Sequence, residues 1–191
     1  CNTNNLIEQN ISQRIESFNM NILSNEGKKI FTIKSPYSIY DKASNIIKLE
    51  KTTIHSFNDE VVEYIINSDE SKFSNDNKVL ELKGNVLVSK TLQKEDKLYA
   101  NSFTWNINKA EYLLSGNVKF ENNSITLSSN KAILNKGSNI IEFFNPVKYI
   151  MKNSDNNDKA EIKSENAFYN INTRSLSFTS VEDRVRSKLY F

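Results

Sequence analysis

The stretch Leu80-Glu-Leu-Lys-Gly-Asn-Val86 recurs further along the chain as Tyr112-Leu-Leu-Ser-Gly-Asn-Val118. The two glycines stand at positions 84 and 116, which sets the offset between the copies at 32 residues. Before each glycine, apolar side chains occupy every second position, as they do on one face of an extended chain. This pattern predicts a β-strand that the fold uses more than once.

The repeat extends into the surrounding sequence, which divides into five similar units. Each unit has a strand with small residues, an aromatic residue or leucine near its end, a polar turn and a second strand. The units start at Ile33, Ile66, Leu98, Leu127 and Ile162. Such a unit cannot bury its apolar face alone, so the copies are predicted to stack around one shared interior.

The residues before the first full unit predict a β-hairpin over 16–35. Phe18 and Met20 alternate with polar neighbours on the first strand. Residues 24–27, Ser-Asn-Glu-Gly, are typical of a turn, and Phe31 resumes the alternation on the second strand.

Period-two alternation continues along the chain, so residues 15–191 are predicted to form one all-β domain. Clusters of Asn, Ser, Asp and Lys, such as 74–78, separate the apolar sets and are typical of turns. Residues 1–14 are predicted to be an N-terminal anchor and linker. The spacing of Ile11, Ile15, Phe18 and Ile22 indicates a possible helix near the start, but Phe18 and Ile22 belong equally well to the first strand.

The composition excludes several classes of protein. The 191 residues include 25 basic and 23 acidic side chains, and so small an excess provides no basic patch for a nucleic-acid backbone. One Cys and one His rule out a disulfide within the chain and a Cys/His zinc site. His55 is predicted to lie on the surface, and no Gly-rich phosphate loop occurs. We therefore predict no metal site and no cofactor, and Ser–His or Cys–His catalysis would need His55 alone to supply the base.

The first residue, Cys1, is predicted to be a lipid anchor. A bacterial lipoprotein signal is cut just before a cysteine that then carries acyl chains, and the polar residues 2–5 suit a tether at a membrane surface. The alternative is that Cys1 is only the point at which this sequence was trimmed. No run of about 18 apolar residues occurs, so membrane attachment is predicted through Cys1 rather than through a transmembrane helix.

Residues 18–191 resemble the periplasmic LptC family of the lipopolysaccharide-export system and the OstA-like repeats that this family shares with its partner LptA. The resemblance rests on the order and spacing of Phe18-x-Met20, Asn25-Glu-Gly27, Phe31-Thr-Ile33 and the two Gly-Asn-Val copies. It implies an all-β fold, an open antiparallel β-jellyroll in which two facing sheets surround an apolar groove that is open at both ends.

The resemblance also implies lipid transfer rather than catalysis. Members of the family receive lipopolysaccharide from an inner-membrane ABC transporter and pass it to an LptA-like periplasmic jellyroll. The N-terminal edge would meet the transporter and the C-terminal edge the next jellyroll. An N-terminal transmembrane helix commonly holds members to the inner membrane, and in this chain lipid on Cys1 would replace it. The implied ligand is lipopolysaccharide or a related glycolipid.

Large inward-facing residues of the hairpin and the repeat are the candidates for the groove wall, where they would hold acyl chains by nonspecific burial. These candidates are Phe18, Met20, Phe31, Ile33, Tyr40, Ile66, Leu82, Trp105, Tyr112, Leu114, Phe143, Tyr169 and Phe178. The small residues that recur at one point of every unit are Ser35, Ser68, Ala100, Ser129 and Ser164. They either leave a lengthwise channel or match bulky neighbours across a filled core.

Three functions of different classes follow from the sequence. The first is a membrane-tethered lipid conduit, with a soluble LptA-like bridge protein as the close alternative. The second is a ligand-free structural β-repeat domain with a filled core. The third is a glycan-binding or glycan-processing β-sandwich, for which the sequence supplies no paired catalytic carboxylates. An interior cavity that runs from end to end would distinguish the first function from the second.

Overall fold

The computed structural model describes residues 12–152, 161–179 and 187–190, and these residues form fourteen β-strands and no helix. The predicted all-β class is confirmed. The strands are β1 (Gln13–Leu23), β2 (Lys29–Asp41), β3 (Ile46–Asn58), β4 (Val61–Ser74), β5 (Val79–Lys90), β6 (Gln93–Asn106), β7 (Glu111–Glu121), β8 (Ile125–Asn135), β9 (Ile140–Phe143), β10 (Val147–Met151), β11 (Glu161–Ser164), β12 (Asn166–Asn170), β13 (Ser175–Thr179) and β14 (Ser187–Tyr190).

The predicted hairpin over 16–35 is formed by β1 and β2, which pair antiparallel with Met20 opposite Ile33. In the turn between them, the Ser24 hydroxyl oxygen accepts a hydrogen bond from the Lys28 backbone N–H at 3.2 Å. β1 begins at Gln13, so the last two residues of the range 1–14 that was predicted as anchor and linker belong to this strand. Residues 1–11, which include Cys1, lie outside the described residues.

The strands follow one another in a single antiparallel sheet whose order is β1 to β9, then β12, β13 and β14. β8 pairs with two strands, with β9 along its second half and with β10 along its first half. β10 in turn pairs with β11. Two separate strands beside the two halves of β8 show that the sheet divides, across its middle, into two half-sheets.

The division runs across every long strand as a line of bends. At this line the odd-numbered strands have backbone angles φ that are positive, at Ser17, Lys51, Gly84-Asn85 and Gly116-Asn117. The strand pairing is also interrupted there: Asn67 of β4 faces Leu87 of β5, but Glu70 faces Lys83. The repeated Gly-Asn pair of the sequence is therefore the point at which a strand passes from one half-sheet to the other.

The bends of β5 and β7 require glycine because of a side chain from the neighbouring strand. A Cβ on Gly84 would stand 2.7 Å from Asp69 Oδ2, and a Cβ on Gly116 would stand 2.9 Å from Asn101 Nδ2. Both glycines also have φ near +75°, a conformation that residues with a Cβ rarely adopt. Because Asp69 and Asn101 are themselves 32 residues apart, the repeat reproduces this contact as well as the glycine.

The two half-sheets face each other across one core. The Ser56 and Tyr112 hydroxyls lie 2.6 Å apart, and the Phe31 and Trp105 rings lie 4.9 Å apart, and each of these pairs joins one half-sheet to the other. The turns at the strand ends form two facing rims. The first rim consists of residues 24–28, 59–60, 91–92 and 122–124, and the second rim consists of residues 42–45, 75–78, 107–110, 136–139 and 171–174.

The folded sheet is open at its edges. Within the described residues, β1 pairs with β2 alone, β14 pairs with β13 alone, and β11 pairs with β10 alone. An unclosed antiparallel sheet folded around an apolar core is the architecture of the open β-jellyroll, so the predicted fold is confirmed.

Candidate functional site

The residues predicted to line the groove lie together on the inner face of the half-sheets. Ten of the thirteen are buried in the core: Phe31, Ile33, Ile66, Leu82, Trp105, Tyr112, Leu114, Phe143, Tyr169 and Phe178. Phe18, Met20 and Tyr40 are half-buried at the N-terminal end of the molecule. The inward positions therefore differ from end to end, with a filled core in the middle and partly exposed side chains at the N-terminal end.

Aromatic rings fill the middle of the interior. The ring of Trp105 lies 5.1 Å from that of Tyr112, which lies 6.1 Å from that of Tyr64. Next to Tyr64, between Val88 and Leu98, the side chains leave a cavity of about 10 Å³. A space of this size holds at most about one water molecule and cannot hold an acyl chain.

Three of the five small residues of the repeat serve the bends. The hydroxyls of these serines donate hydrogen bonds to the backbone carbonyl oxygen two residues further on, in Ser35 to Tyr37 at 2.6 Å, Ser68 to Glu70 at 3.0 Å and Ser129 to Lys131 at 2.8 Å. Ala100 has no hydroxyl, and Ser164 Oγ makes no hydrogen bond within the described residues. Each of the three bonds ties the backbone at the point where the strand pairing is interrupted. The sequence shows that these serines recur, but it does not show that their hydroxyls bond the backbone at a bend. The alternation of apolar and polar residues does not mark where a strand bends.

Six hydrophobic side chains pack against the core but are only partly buried, and because four of them lie on β1 and β2 we call this set the N-terminal opening. It consists of Phe18, Met20, Ile22, Ile30, Ile47 and Ile107. Phe18 and Met20 were predicted as groove residues, and the four isoleucines were not. Ile22 extends the alternation of β1 and could have been found from that pattern, whereas Ile107 follows the end of β6 and has no such signal.

Polar contacts join the first rim to the second, and we call this row of contacts the rim seam. Its hydrogen bonds run from Lys136 Nζ to the Phe57 carbonyl oxygen, from Tyr64 Oη to Asn139 Oδ1, from Lys90 Nζ to Asn172 Oδ1, from Gln93 Nε2 to the Ile171 carbonyl oxygen at 3.1 Å, and from the Arg174 guanidinium to Glu95. The partners are between 75 and 82 residues apart in the chain, so sequence periodicity does not reveal them.

Burial favours the neutral forms of the groups that face the interior. It raises the pKa of the Tyr112 hydroxyl, and burial together with the field of Asp96 raises the pKa of Tyr169 to about 12. Burial also raises the pKa of the Asp96 carboxyl. Burial lowers the pKa of the Lys136 ammonium, an effect that the nearby Glu63 opposes. The interior is therefore suited to uncharged, apolar groups.

The described ranges contain no group of three or more His, Cys, Asp or Glu side chains that could hold a metal ion. In the same part of the chain, no helix has the length and apolar character that crossing a membrane requires.

The folded, unclosed sheet and its apolar interior define the class of protein as an open β-jellyroll of the OstA-like kind. Residues 88–188 match the family described as OstA-like protein. Residues 2–121, more than half of the chain, match the family described as Lipopolysaccharide-assembly, LptC-related. The chain therefore belongs to the LptC family, as its sequence motifs suggested, and has a role related to lipopolysaccharide transport. A search of curated proteins finds no match.

Proposed function

We propose that this chain is a periplasmic lipid carrier that accepts lipopolysaccharide, or a related glycolipid, from an inner-membrane ABC transporter and passes it to a partner jellyroll. Lipid on Cys1 would hold it to the inner membrane. The observation that supports this proposal is the N-terminal opening, where six apolar side chains are only partly buried against an otherwise filled core. Acyl chains would complete their burial.

Burial in the N-terminal opening suits a carrier because it stabilises the lipid without selecting a particular one. Each methylene removed from water contributes about 0.8 kcal/mol, so a dozen methylenes would contribute roughly 10 kcal/mol. The side chains that would make these contacts, Phe18, Met20 and the isoleucines, present no charge and few directional contacts. A ligand held in this way leaves by sliding along similar surfaces, as transfer to a second protein requires.

The open edges of the sheet are the proposed docking sites for protein partners. β1 pairs with β2 alone among the described strands, so the backbone groups on its outer side are available to a strand from another chain. We assign this N-terminal edge to the transporter and the C-terminal edge, which includes β14, to the next jellyroll.

Affinity purification tests the assignment of the partners. The tagged full-length chain, isolated from detergent-solubilised native membranes, is expected to bring down ABC-transporter subunits together with lipopolysaccharide. A variant with Asn19→Pro on the edge strand β1 removes a backbone N–H there and is expected to reduce recovery of the transporter. Full recovery with this variant would count against the N-terminal edge as the docking site.

Site-specific photo-crosslinking tests the lipid site. A benzophenone side chain at Phe18 or Met20 is expected to capture lipopolysaccharide, because both positions are partly exposed within the N-terminal opening. The matched control is position 19 on the same strand, where Asn19 is exposed and points to the opposite face. Capture is measured by a mobility shift detected with an antibody against lipopolysaccharide.

A second function, a ligand-free structural β-domain, is favoured by one observation, the aromatic filling of the middle of the core. The crosslinking experiment separates the two functions. Capture at positions 18 and 20 but not at 19 supports the carrier. Absence of capture at all three positions, in protein that is folded and exposed to lipopolysaccharide, would support the structural domain and overturn the carrier.

A further inference from the structure

We infer that this jellyroll opens along its side: the rim seam separates while the line of bends on the opposite side acts as the hinge. Two structural features, one on each side of the core, carry the inference. The use of this opening for acyl chains rests on the proposed function, but the opening itself does not.

The line of bends has the properties of a hinge. Across β4 to β8, the pairing of neighbouring strands stops on one half-sheet and resumes on the other with a shifted register. On β5 and β7 the connecting residues are Gly-Asn pairs with positive φ. Further along the sheet the two half-sheets contain separate strands, β9 beside β12 and β10 beside β11. Few ladder hydrogen bonds therefore need to change when the angle between the half-sheets changes.

The polar contacts of the rim seam are of a kind that can break and form again. Its cations are paired mainly with neutral oxygens, since Lys90 donates to the Asn172 side chain and Lys136 to the Phe57 carbonyl. Among the described residues, the ion pair in the seam is that of Arg174 with Glu95, two side chains that are about one-third exposed. This partly exposed ion pair is exchanged for water at little cost when the rims separate, whereas Lys90 and the Tyr64–Asn139 pair are buried and give the closed form more of its stability.

The closed seam also leaves buried polar atoms without hydrogen bonds. Glu63 Oε2, Gln93 Oε1 and Asp96 Oδ2 are inaccessible to water and have no hydrogen-bond partner among the described residues. All three belong to the first-rim side of the seam. Because an unsatisfied buried oxygen destabilises the state that contains it, hydration of these atoms favours the parted rims.

Separation of the two rims would explain how a protein with a packed interior can still take up acyl chains. In the closed form the cavity beside Tyr64 is about 10 Å³, so acyl chains have no room behind the seam. A ligand that fits only the parted form shifts the population toward that form by its differential affinity. The N-terminal opening would hold the first part of the ligand, and parting of the rims would admit the rest.

Spin labels on the two rims test the inference. Leu92 on the first rim and Thr173 on the second are both exposed. They lie next to the contacts of Lys90 with Asn172 and Glu95 with Arg174. In a Cys1→Ser background, which removes the one native thiol, the variants Leu92→Cys and Thr173→Cys carry the labels. Labels at Asn108 and Thr173, both on the second rim, form the control pair for motion within one rim.

The decisive variant removes three seam contacts, by Lys90→Ala, Gln93→Ala and Arg174→Ala. Each lost hydrogen bond changes the equilibrium by a factor of about two to ten, so the long-distance population of the 92–173 pair is expected to rise at least about tenfold without lipid. Lys72→Ala, which breaks an ion pair with Glu81 on the outer face, is the matched control and is expected to change nothing. An unchanged 92–173 distribution in the seam variant would overturn the inference.

Added lipopolysaccharide provides the second arm of the experiment. It is expected to produce the same long-distance component in the chain with an intact seam. If lipid is captured at Phe18 and the rims stay closed, the carrier function stands and the opening is not its route. If the seam variant opens but no lipid is captured in any form, the opening stands and the proposed function falls.

Discussion

Replacing Trp105 by alanine is expected to lower the free energy of unfolding by about 3–5 kcal/mol, the usual cost of deleting a fully buried large aromatic side chain. Trp105 is 2% exposed and contacts the rings of Phe31, at 4.9 Å, and Tyr112, at 5.1 Å. Its Nε1–H donates a hydrogen bond to the Lys109 carbonyl oxygen at 2.9 Å. The substitution therefore opens a cavity where the two half-sheets meet and removes a bond that fixes the turn after β6.

Two companion variants make the measurement specific. Trp105→Phe keeps a ring in the core and is expected to cost less than half as much, because it loses the indole hydrogen bond and part of the ring volume. Leu92→Ala is the exposed control, since Leu92 is 88% exposed and its truncation is expected to change stability by less than about 0.5 kcal/mol. Chemical denaturation followed by circular dichroism measures all three. A loss below about 1 kcal/mol for Trp105→Ala would contradict the packing described for the core.

Replacing Gly116 by alanine is expected to destabilise the protein by about 2–4 kcal/mol, because two penalties act at one position. The backbone has a φ of +75°, and the new Cβ would stand 3.0 Å from Asn101 Cβ as well as 2.9 Å from Asn101 Nδ2. The Asn101 amide can rotate away, but its Cβ is attached to the backbone of β6 and cannot. The strands must therefore separate at the bend to admit the methyl group.

The remaining glycines provide graded controls for this prediction. Gly27 has a φ of +80° with nothing within 4 Å of the added Cβ, so Gly27→Ala tests the backbone penalty alone and is expected to cost about 1 kcal/mol. At Gly137 the added Cβ lies 3.5 Å from Asn135 Oδ1, an ordinary contact, and stability is expected to be unchanged or slightly higher. Equal losses at positions 116 and 27 in urea denaturation would show that contact with Asn101 has no part in the effect.

The repeat and the alternation of the sequence were sufficient to predict the all-β class and the inner face of each strand. Side chains alternate strictly in a strand, so Leu80 and Leu82, or Tyr112 and Leu114, had to share a face, and burial selects the apolar face as the inner one. The same logic placed all thirteen groove candidates on the inner face. The family motifs added the open jellyroll, which alternation alone does not distinguish from other two-layer β-folds.

Other features depend on distances that a one-dimensional pattern does not contain. The sequence left open whether Ser68 and Ser129 border a channel or match bulky neighbours across a filled core. It did not indicate the bond that their hydroxyls make to the backbone at the bends, because that bond depends on where the strands turn. The contact of Lys90 with Asn172 joins residues 82 positions apart, and it forms because folding of the sheet brings opposite strand ends together. The half-buried state of Phe18 and Met20 depends on which end of the stack lacks a further unit to cover it.

Because the bend recurs in successive units, each unit has the same cross-section as the one before it. Each 32-residue unit contributes two strands, and neighbouring strands lie about 4.8 Å apart, so one unit extends the molecule by roughly 10 Å along the stacking direction. Length can therefore change in whole units while the width and the bend stay the same. A protein built in this way behaves as a modular spacer, whose length is counted in repeats.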